Sequence, residues 1–305
     1  MRGRMDSDGN FLFEGDELST IVISGADEAF APLLTDLVDS VTANAAGVVD
    51  AIGILDVGLS EATREALRPK VGAIVEPEWD FVIDATLQRE QPHLRALLSR
   101  PLLQKYFPGY DRYLWLDADT WVQEGYALQW LVHAARRGAI ALVPHVDRSY
   151  VNRLPGGGRW KMARLNASFP GPLPPGLDRT YNAGVFCIEA NAAHWASWAK
   201  YMAIALDNSP TTICDQTVLN YAICSEKLPV HPLPALCNWC CHLAAPVVSR
   251  GRLCEPFVPH TPIGIVHMSG PRTKDATLRY RDGERLMTRS LRYRAEPVPA
   301  LVPAG

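Results

Sequence analysis

Asp117-Ala-Asp119 closes the apolar run Tyr113-Leu-Trp-Leu116. Side chains alternate along a strand, but at its end the backbone turns, so two carboxylates one residue apart can reach one hard cation from two positions. Mg²⁺ and Mn²⁺ take oxygen ligands of this kind, with diphosphate oxygens completing the shell. The carboxyl ends of parallel strands are also where ligands collect. An Asp at a strand end equally caps a following helix, so the pair gains weight only from company. Asn182, Asp215 and His267 supply it. Taken singly, Asn182-Ala-Gly184 is a strand entry with a small-residue packing site, Asp215 is a helix N-cap, and His267 is a core imidazole in an apolar strand. Cys237-Asn-Trp-Cys240-Cys241-His242 lacks the second Cys-x-x-Cys pair of a zinc site and reads as packed, reduced thiols.

Two known patterns fit the carboxylate pair. Leu114-Trp-Leu-Asp117-Ala-Asp119-Thr120 resembles the D-x-D-x-T motif of haloacid-dehalogenase-like phosphatases, in which the first Asp is the nucleophile and the second the acid–base. That motif usually follows the first strand of its fold. Here about a hundred residues and three strands come first, and no late Asp-Asp pair is present to hold the metal. The longer stretch Tyr106-Phe-Pro-Gly-Tyr-Asp-Arg-Tyr-Leu-Trp-Leu-Asp117-Ala-Asp119 resembles the centre of glycosyltransferase family 8, the group that includes glycogenin and bacterial lipopolysaccharide galactosyl- and glucosyltransferases. Four more segments match in order: Ile21-Val-Ile-Ser-Gly-Ala-Asp27 with Phe30-Ala-Pro, Tyr181-Asn182-Ala183-Gly184-Val185-Phe186, Asp215-Gln216-Thr-Val-Leu-Asn220, and His267-Met-Ser-Gly270 followed by Lys274. The resemblance runs from Ile21 to Lys274, most of the chain.

The resemblance implies a GT-A fold and a retaining transfer of a hexose from a UDP-sugar to a glycan, lipid-linked or protein acceptor. Asp117, Asp119 and His267 would hold Mn²⁺ or Mg²⁺. Lys274 would touch the diphosphate, Asp27 the base, and Asn182, Asp215 and Gln216 the sugar. Arg100, Ala118, Gly184 and Gly270 would line the donor site. Gln216 would stand near the sugar face opposite the leaving group. A neutral amide is a poor nucleophile, which favours front-face transfer, with double displacement through Asp215 as the other route. The pattern departs from the family at Ala29, usually polar, and at Thr217, where some members carry an acid. Lys274 stands one residue further from Gly270 than expected, which leaves Arg272 as an alternative, and Arg95 competes with Arg100. The region of Asn238 and Trp239 helps build the acceptor side in the family, where a Trp face stacks on a sugar. A phosphatase using Asp117 and Asp119, or a non-catalytic sugar-nucleotide binder, are the competing functions.

Positioning these residues requires alternating strands and helices. Thr20–Ser24, Asp50–Leu55, Val71–Val75, Tyr113–Leu116, Ala139–Val143, Ala183–Ile188 and Ile263–Met268 read as strands. Helices are expected from Phe30 to Val41, from Ser60, over Ala85–Arg100 with Pro92 as an internal defect, over Tyr126–Arg136, from Asn191 and over Asp215–Ile223. Trp195, Trp198, Met202 and Leu206 share one helical face and read as core. The fold class is therefore α/β, a Rossmann-like mixed, mostly parallel sheet flanked by helices.

Residues 1–18 read as a flexible leader, 19–145 as a nucleotide-sugar-binding half, 146–275 as the acceptor and catalytic half of the same domain, and 276–305 as a basic helix with a disordered tail. Residues 148–180, with Gly156-Gly157-Gly158 and several prolines, read as a long loop, either functional or disordered. Arg272, Lys274, Arg279, Arg281, Arg285, Arg289, Arg292 and Arg294, interleaved with apolar residues, suggest an amphipathic helix on an anionic membrane. With 30 basic and 33 acidic residues among 305, the formal charge is −3, which disfavours phosphate-backbone binding and nucleic-acid partners. The seven cysteines are odd in number and confined to the second half, unlike a secreted disulfide framework. No apolar run reaches the roughly 18–20 residues that span a bilayer. The expected location is the cytoplasm, with peripheral contact at the inner face of the membrane through the basic segment.

Overall fold

The computed structural model describes residues 18–294 apart from 46, 151–164, 178–179, 210–213 and 271, together with the backbone of 3–5, 11–13 and 298–299. Gly3–Met5 (β1) and Phe11–Phe13 (β2) form an antiparallel ladder, so the expected loose leader contains paired strands. The main sheet is built from Thr20–Ala26 (β3), Ala51–Asp56 (β4), Ala73–Val75 (β5), Arg112–Leu116 (β6), Ile140–Pro144 (β8), Tyr181–Glu189 (β9) and Val230–Pro232 (β10). Its order is β10-β8-β9-β6-β3-β4-β5. Every pairing is parallel except those of β9, which runs antiparallel to β6 and β8.

Both faces of this sheet are covered, and the residues alternate accordingly. Tyr113 and Trp115 of β6 point into one core with Ile21, Ile23, Phe186 and the stripe Trp195, Trp198, Met202 and Leu206 of helix His194–Asn208. Leu114 and Leu116 point into the other, against Leu34, Leu37, Val38 and Val41 of helix Ala31–Asn44 and Leu128 and Leu131 of helix Tyr126–Ala134. Ser60 caps the Glu61–Leu67 helix, its hydroxyl accepting from Thr63 N at 3.2 Å. The single helix expected over Ala85–Arg100 is instead two, Ala85–Glu90 and Leu94–Ser99. Pro92 cannot donate a backbone hydrogen bond and its ring clashes with the preceding turn, so it ends one helix and a new one starts.

The strand Thr120–Val122 (β7) belongs to a second sheet of order β11-β14-β7, with Trp239–Cys240 (β11) and Ile265–His267 (β14). Val247–Ser249 (β12) and Arg252–Cys254 (β13) form a separate hairpin. Among the described residues the expected basic C-terminal helix is not formed. Thr277–Asp282 (β15) and Arg285–Ser290 (β16) pair antiparallel instead, and Val298–Pro299 (β17), in the expected disordered tail, pairs with β16. Leu278 and Tyr280 alternate with Arg279 and Arg281, a period of two. Asp282-Gly283 starts the turn, where Gly283 takes φ +59, a conformation that glycine adopts freely. The helical stripe proposed for membrane contact is therefore absent.

The hairpin leads into Leu291, whose carbonyl accepts from Trp121 Nε1 at 2.8 Å, and Arg292, which pairs with Asp36. Within the expected 148–180 loop, Leu165 and Phe169 enter the core and Phe169 stacks on Tyr221 at 3.7 Å; Gly156–Gly158 lie outside the described residues. No helix among the described residues is long and apolar enough to cross a membrane.

Candidate active site

Topology brings the site together at the carboxyl ends of β3 and β6. Because β9 runs the other way, its first residues stand beside the last of β6: Leu116 pairs with Val185, and Asp117 N donates to Gly184 O at 2.8 Å. Asn182 and Gly184 are thereby set against Asp117 across 65 or more residues of chain. In the second sheet, β14 runs antiparallel to β7 with His267 opposite Thr120, and Met268 N donates to Asp119 O at 2.9 Å. This register places the imidazole over the carboxylate pair.

One oxygen of each carboxylate is engaged and one is presented. Asp117 Oδ1 accepts from Trp115 Nε1 at 2.8 Å and from Arg100 Nη2, leaving Oδ2 3.8 Å from His267 Nε2. Asp119 Oδ2 accepts from Lys274 Nζ at 2.8 Å, leaving Oδ1 3.3 Å from His267 Nε2. The three atoms lie within 4.8 Å of one another, the one such potential metal cluster among the described residues. Two carboxylate oxygens and an imidazole nitrogen suit Mn²⁺ or Mg²⁺, and three ligands leave room for diphosphate oxygens. The space is kept open by Gly184. A Cβ there would stand 2.5 Å from Asp117 Oδ2 and from His267 Cε1.

Electrostatics match this arrangement. Burial alone would lower the His267 pKa, but the Asp119 carboxylate and the Cys240 thiol beside it hold it well above the usual value. Burial would raise Asp119, but His267 and Lys274 hold it below the usual carboxylate range. A divalent cation would take over the role of the proton between them. Arg100 is buried, its face 4.6 Å from the Trp115 ring, and it bridges Asp117 to Asp215 at 2.6 Å while donating to Ala183 O at 3.3 Å. Burial, with Asp117 nearby, raises the Asp215 pKa even though Arg100 opposes this. Arg95 points elsewhere, to Glu76 at 2.8 Å.

Asp215 starts the helix Asp215–Glu226, and Gln216 Oε1 accepts from Ala183 N at 3.1 Å. Asn220 clamps that helix to β9, exchanging hydrogen bonds with Tyr181 N and O at 2.8 and 3.0 Å. Thr273 Oγ1, with one proton to donate, lies within 2.6–3.0 Å of the carbonyls of Met268, Ser269 and Gly270 in the turn that carries Lys274 to Asp119, whereas Arg272 is exposed. A cleft of about 290 Å³ opens beside the cluster, lined by Asp27, Phe30, His93, Arg100, Trp115, Ala118 and other residues. Asp27 also caps the turn at Phe30 N, at 3.2 Å.

The expectation for Asn238 and Trp239 is corrected. Both are fully buried, so neither presents a face to a sugar. Trp239 Nε1 donates to Ala244 O at 2.9 Å, while Asn238 contacts His267 and Asn182. The cysteines around them are free and buried. Trp115 and His145 also enter the site without having been singled out from sequence. Trp115 stands two residues before Asp117, the same-side spacing of a strand, so its alternation was the available signal. His145 follows β8 and has no such signal.

The architecture has solved counterparts. The galactosyltransferase LgtC, in complex with donor and acceptor sugar analogs, is 18% identical and superposes with a TM-score of 0.51, covering 82% of this chain and 87% of that one. The bifunctional glycosyltransferase WbbM, in its apo form, is 17% identical with a TM-score of 0.50, covering 85% of this chain and 47% of that one. This is a GT-A fold. No family model and no curated protein matches the chain.

Proposed function

We propose that this chain is a metal-dependent, retaining hexosyltransferase of the family 8 type that moves a sugar from UDP to a glycan, lipid-linked or protein acceptor. One observation carries the reading: Asp117 Oδ2, Asp119 Oδ1 and His267 Nε2 converge at the mouth of the cleft, at the carboxyl end of a GT-A sheet. The fold's likeness to the sugar-bound galactosyltransferase supports the substrate class. The third donor is an imidazole on a distant strand, which favours this reading over a phosphatase built on the same two Asp residues.

Asp117, Asp119 and His267 would hold the cation, which would supply positive charge against the donor's diphosphate as the nucleotide leaves. Lys274, already at the site's edge, adds a charge-assisted hydrogen bond to the same phosphates. Asp27 meets the base at the far end of the cleft. Arg100 bridges Asp117 and Asp215 and offsets part of their combined charge. Asp215 and Gln216 line the sugar pocket, where a carboxylate and an amide oxygen stabilise an oxocarbenium-like centre. The bond from the anomeric carbon to the phosphate oxygen breaks, the bond to the acceptor oxygen forms on the same face, and the departing phosphate oxygen takes the acceptor's proton.

Calorimetric titration of UDP into the wild type and Asp119→Asn, with Mn²⁺ and with chelator, tests this. Micromolar binding that requires Mn²⁺ and is lost in the variant is expected. Turnover of a chromogenic phosphate ester that ignores UDP and disappears in Asp117→Asn would overturn the reading in favour of a phosphatase.

A further inference from the structure

We infer that Asn238 is the positioning residue of the metal site: it fixes the proton of His267 on Nδ1 and so keeps the Nε2 lone pair on the side of Asp117 and Asp119. The inference rests on the metal reading above and concerns how this chain prepares one of its ligands.

The polarity can be followed from one backbone group. Gly184 N–H is a donor and nothing else, and it points at Asn182 Oδ1 at 2.7 Å. That contact fixes which end of the Asn182 amide is oxygen, and its Nδ2 therefore faces His145 Nε2, at 2.9 Å. Asn238 approaches the same Asn182 Oδ1 at 2.9 Å, so it must present its NH₂ group there. Its own Oδ1 is left facing His267 Nδ1 at 2.8 Å. An amide oxygen only accepts, so His267 Nδ1 must carry the hydrogen. In the neutral ring the lone pair is then on Nε2, the nitrogen that faces the two carboxylates.

The arrangement is fully enclosed, with Asn238 0% and His267 3% exposed, so water cannot replace the missing partner if one link is removed. Asn238 lies on the segment leading into β11, which pairs in parallel with the β14 strand that bears His267, so the two side chains share a rigid sheet. Cys240 also lies against the imidazole. Burial would raise its pKa, but hydrogen bonds with His145 and His267 hold it below the usual thiol value, and its sulfur does not share the amide's link back to Gly184. A partner on the non-ligating nitrogen fixes ring orientation and tautomer, and its loss typically costs about 10–100-fold in metal affinity.

The test uses the full chain, free Mn²⁺ read by electron paramagnetic resonance, and ¹⁵N-histidine NMR with diamagnetic Mg²⁺. The wild type is expected to show His267 protonated on Nδ1 with Mg²⁺ bound. Asn238→Leu, of similar volume, is expected to lose about 10–100-fold in Mn²⁺ affinity and to mix tautomers. Asn238→Asp, which keeps the acceptor toward His267 but sets an oxygen against Asn182 Oδ1, is expected to retain the Nδ1 proton and to lose less affinity than Asn238→Leu. Cys240→Ala is expected to keep the Nδ1 proton and to lose less affinity than Asn238→Leu. A wild-type signal from a proton on Nε2, or wild-type affinity in Asn238→Leu, overturns the inference while leaving the metal site standing. A larger loss in Cys240→Ala than in Asn238→Leu assigns the role to the thiol and overturns it as well. If the wild type itself binds no Mn²⁺, the metal reading falls and takes this inference with it.

Discussion

Arg100 is paired with two carboxylates of the site at once. It is buried between Asp117 and Asp215, and each carboxylate is tolerable there because the guanidinium is present. Removing one partner of a buried pair leaves an uncompensated charge, at a cost of about 3–5 kcal/mol. Arg100→Met should therefore destabilise the protein by that order in urea at pH 7. Asp215→Asn in the same chain should recover part of the loss, because the amide needs no counter-charge. Equal stabilities for the single and double variants would show that Asp215 already takes up a proton when Arg100 is gone. At this scale the sequence was legible where chemistry follows a short local pattern. Asp117 and Asp119 stand at a strand end, and Lys274 rather than Arg272 reaches Asp119 because Thr273 folds the turn between them. Asn238 was assigned to the wrong surface because its partners are Asn182 and His267, 56 and 29 residues away, and no spacing rule encodes such a contact.

Elements were legible to the extent that their periodicity was unambiguous. The Trp195, Trp198, Met202 and Leu206 stripe repeats every three or four residues and packs as expected. The segment after Lys274 was misread because its charge count suggested a helix face, while the alternation of Leu278 and Tyr280 and the Asp282-Gly283 pair pointed to a hairpin. The helix that bears the Trp stripe also carries a titratable group the site does not use. His194, its first residue, is fully buried beside the backbone of Pro229. Burial lowers its pKa to about 4, against 6.5 for the free imidazole. Well above pH 6.5 the ring is neutral in both folded and unfolded chains and pH has no effect through it. Between 6.5 and 4 the unfolded chain takes up a proton that the folded chain refuses, so stability falls as pH falls, by about 1.4 kcal/mol per unit. Urea midpoints of wild type and His194→Phe should run parallel above pH 7 and diverge below 6.5, with the variant the less sensitive. Parallel curves down to pH 4.5 would mean that the imidazole is protonated in the folded chain.

At the scale of the whole molecule, the expected halves share one sheet: β8, β9 and β10 continue the sheet begun by β3, β4 and β5. The alternation of strands and helices made this α/β class legible, but the reversal of β9 was not, because strand direction is set by which neighbour a strand finds and not by its own residues. That reversal has a thermodynamic consequence. The site gathers Asp27 from β3's end, Asp117 and Asp119 from β6's end, Asp215 from a helix start, and His267 and Lys274 from beyond residue 260. A ligand that needs all of them has no binding site in the unfolded chain. UDP with Mn²⁺ at 100 times its dissociation constant should then stabilise the fold by about 2.7 kcal/mol. For a chain of this size that corresponds to a rise of about 4 °C in Tm. The rise should depend on Mn²⁺ and UDP together, and it should vanish in Asp119→Asn. If UDP without metal produced the same rise, the nucleotide would be held by Lys274, Asp27 and backbone groups alone. The Asp117–Asp119–His267 cluster would then be a structural network of buried charges, and the sugar-transfer chemistry assigned to it would have to be withdrawn.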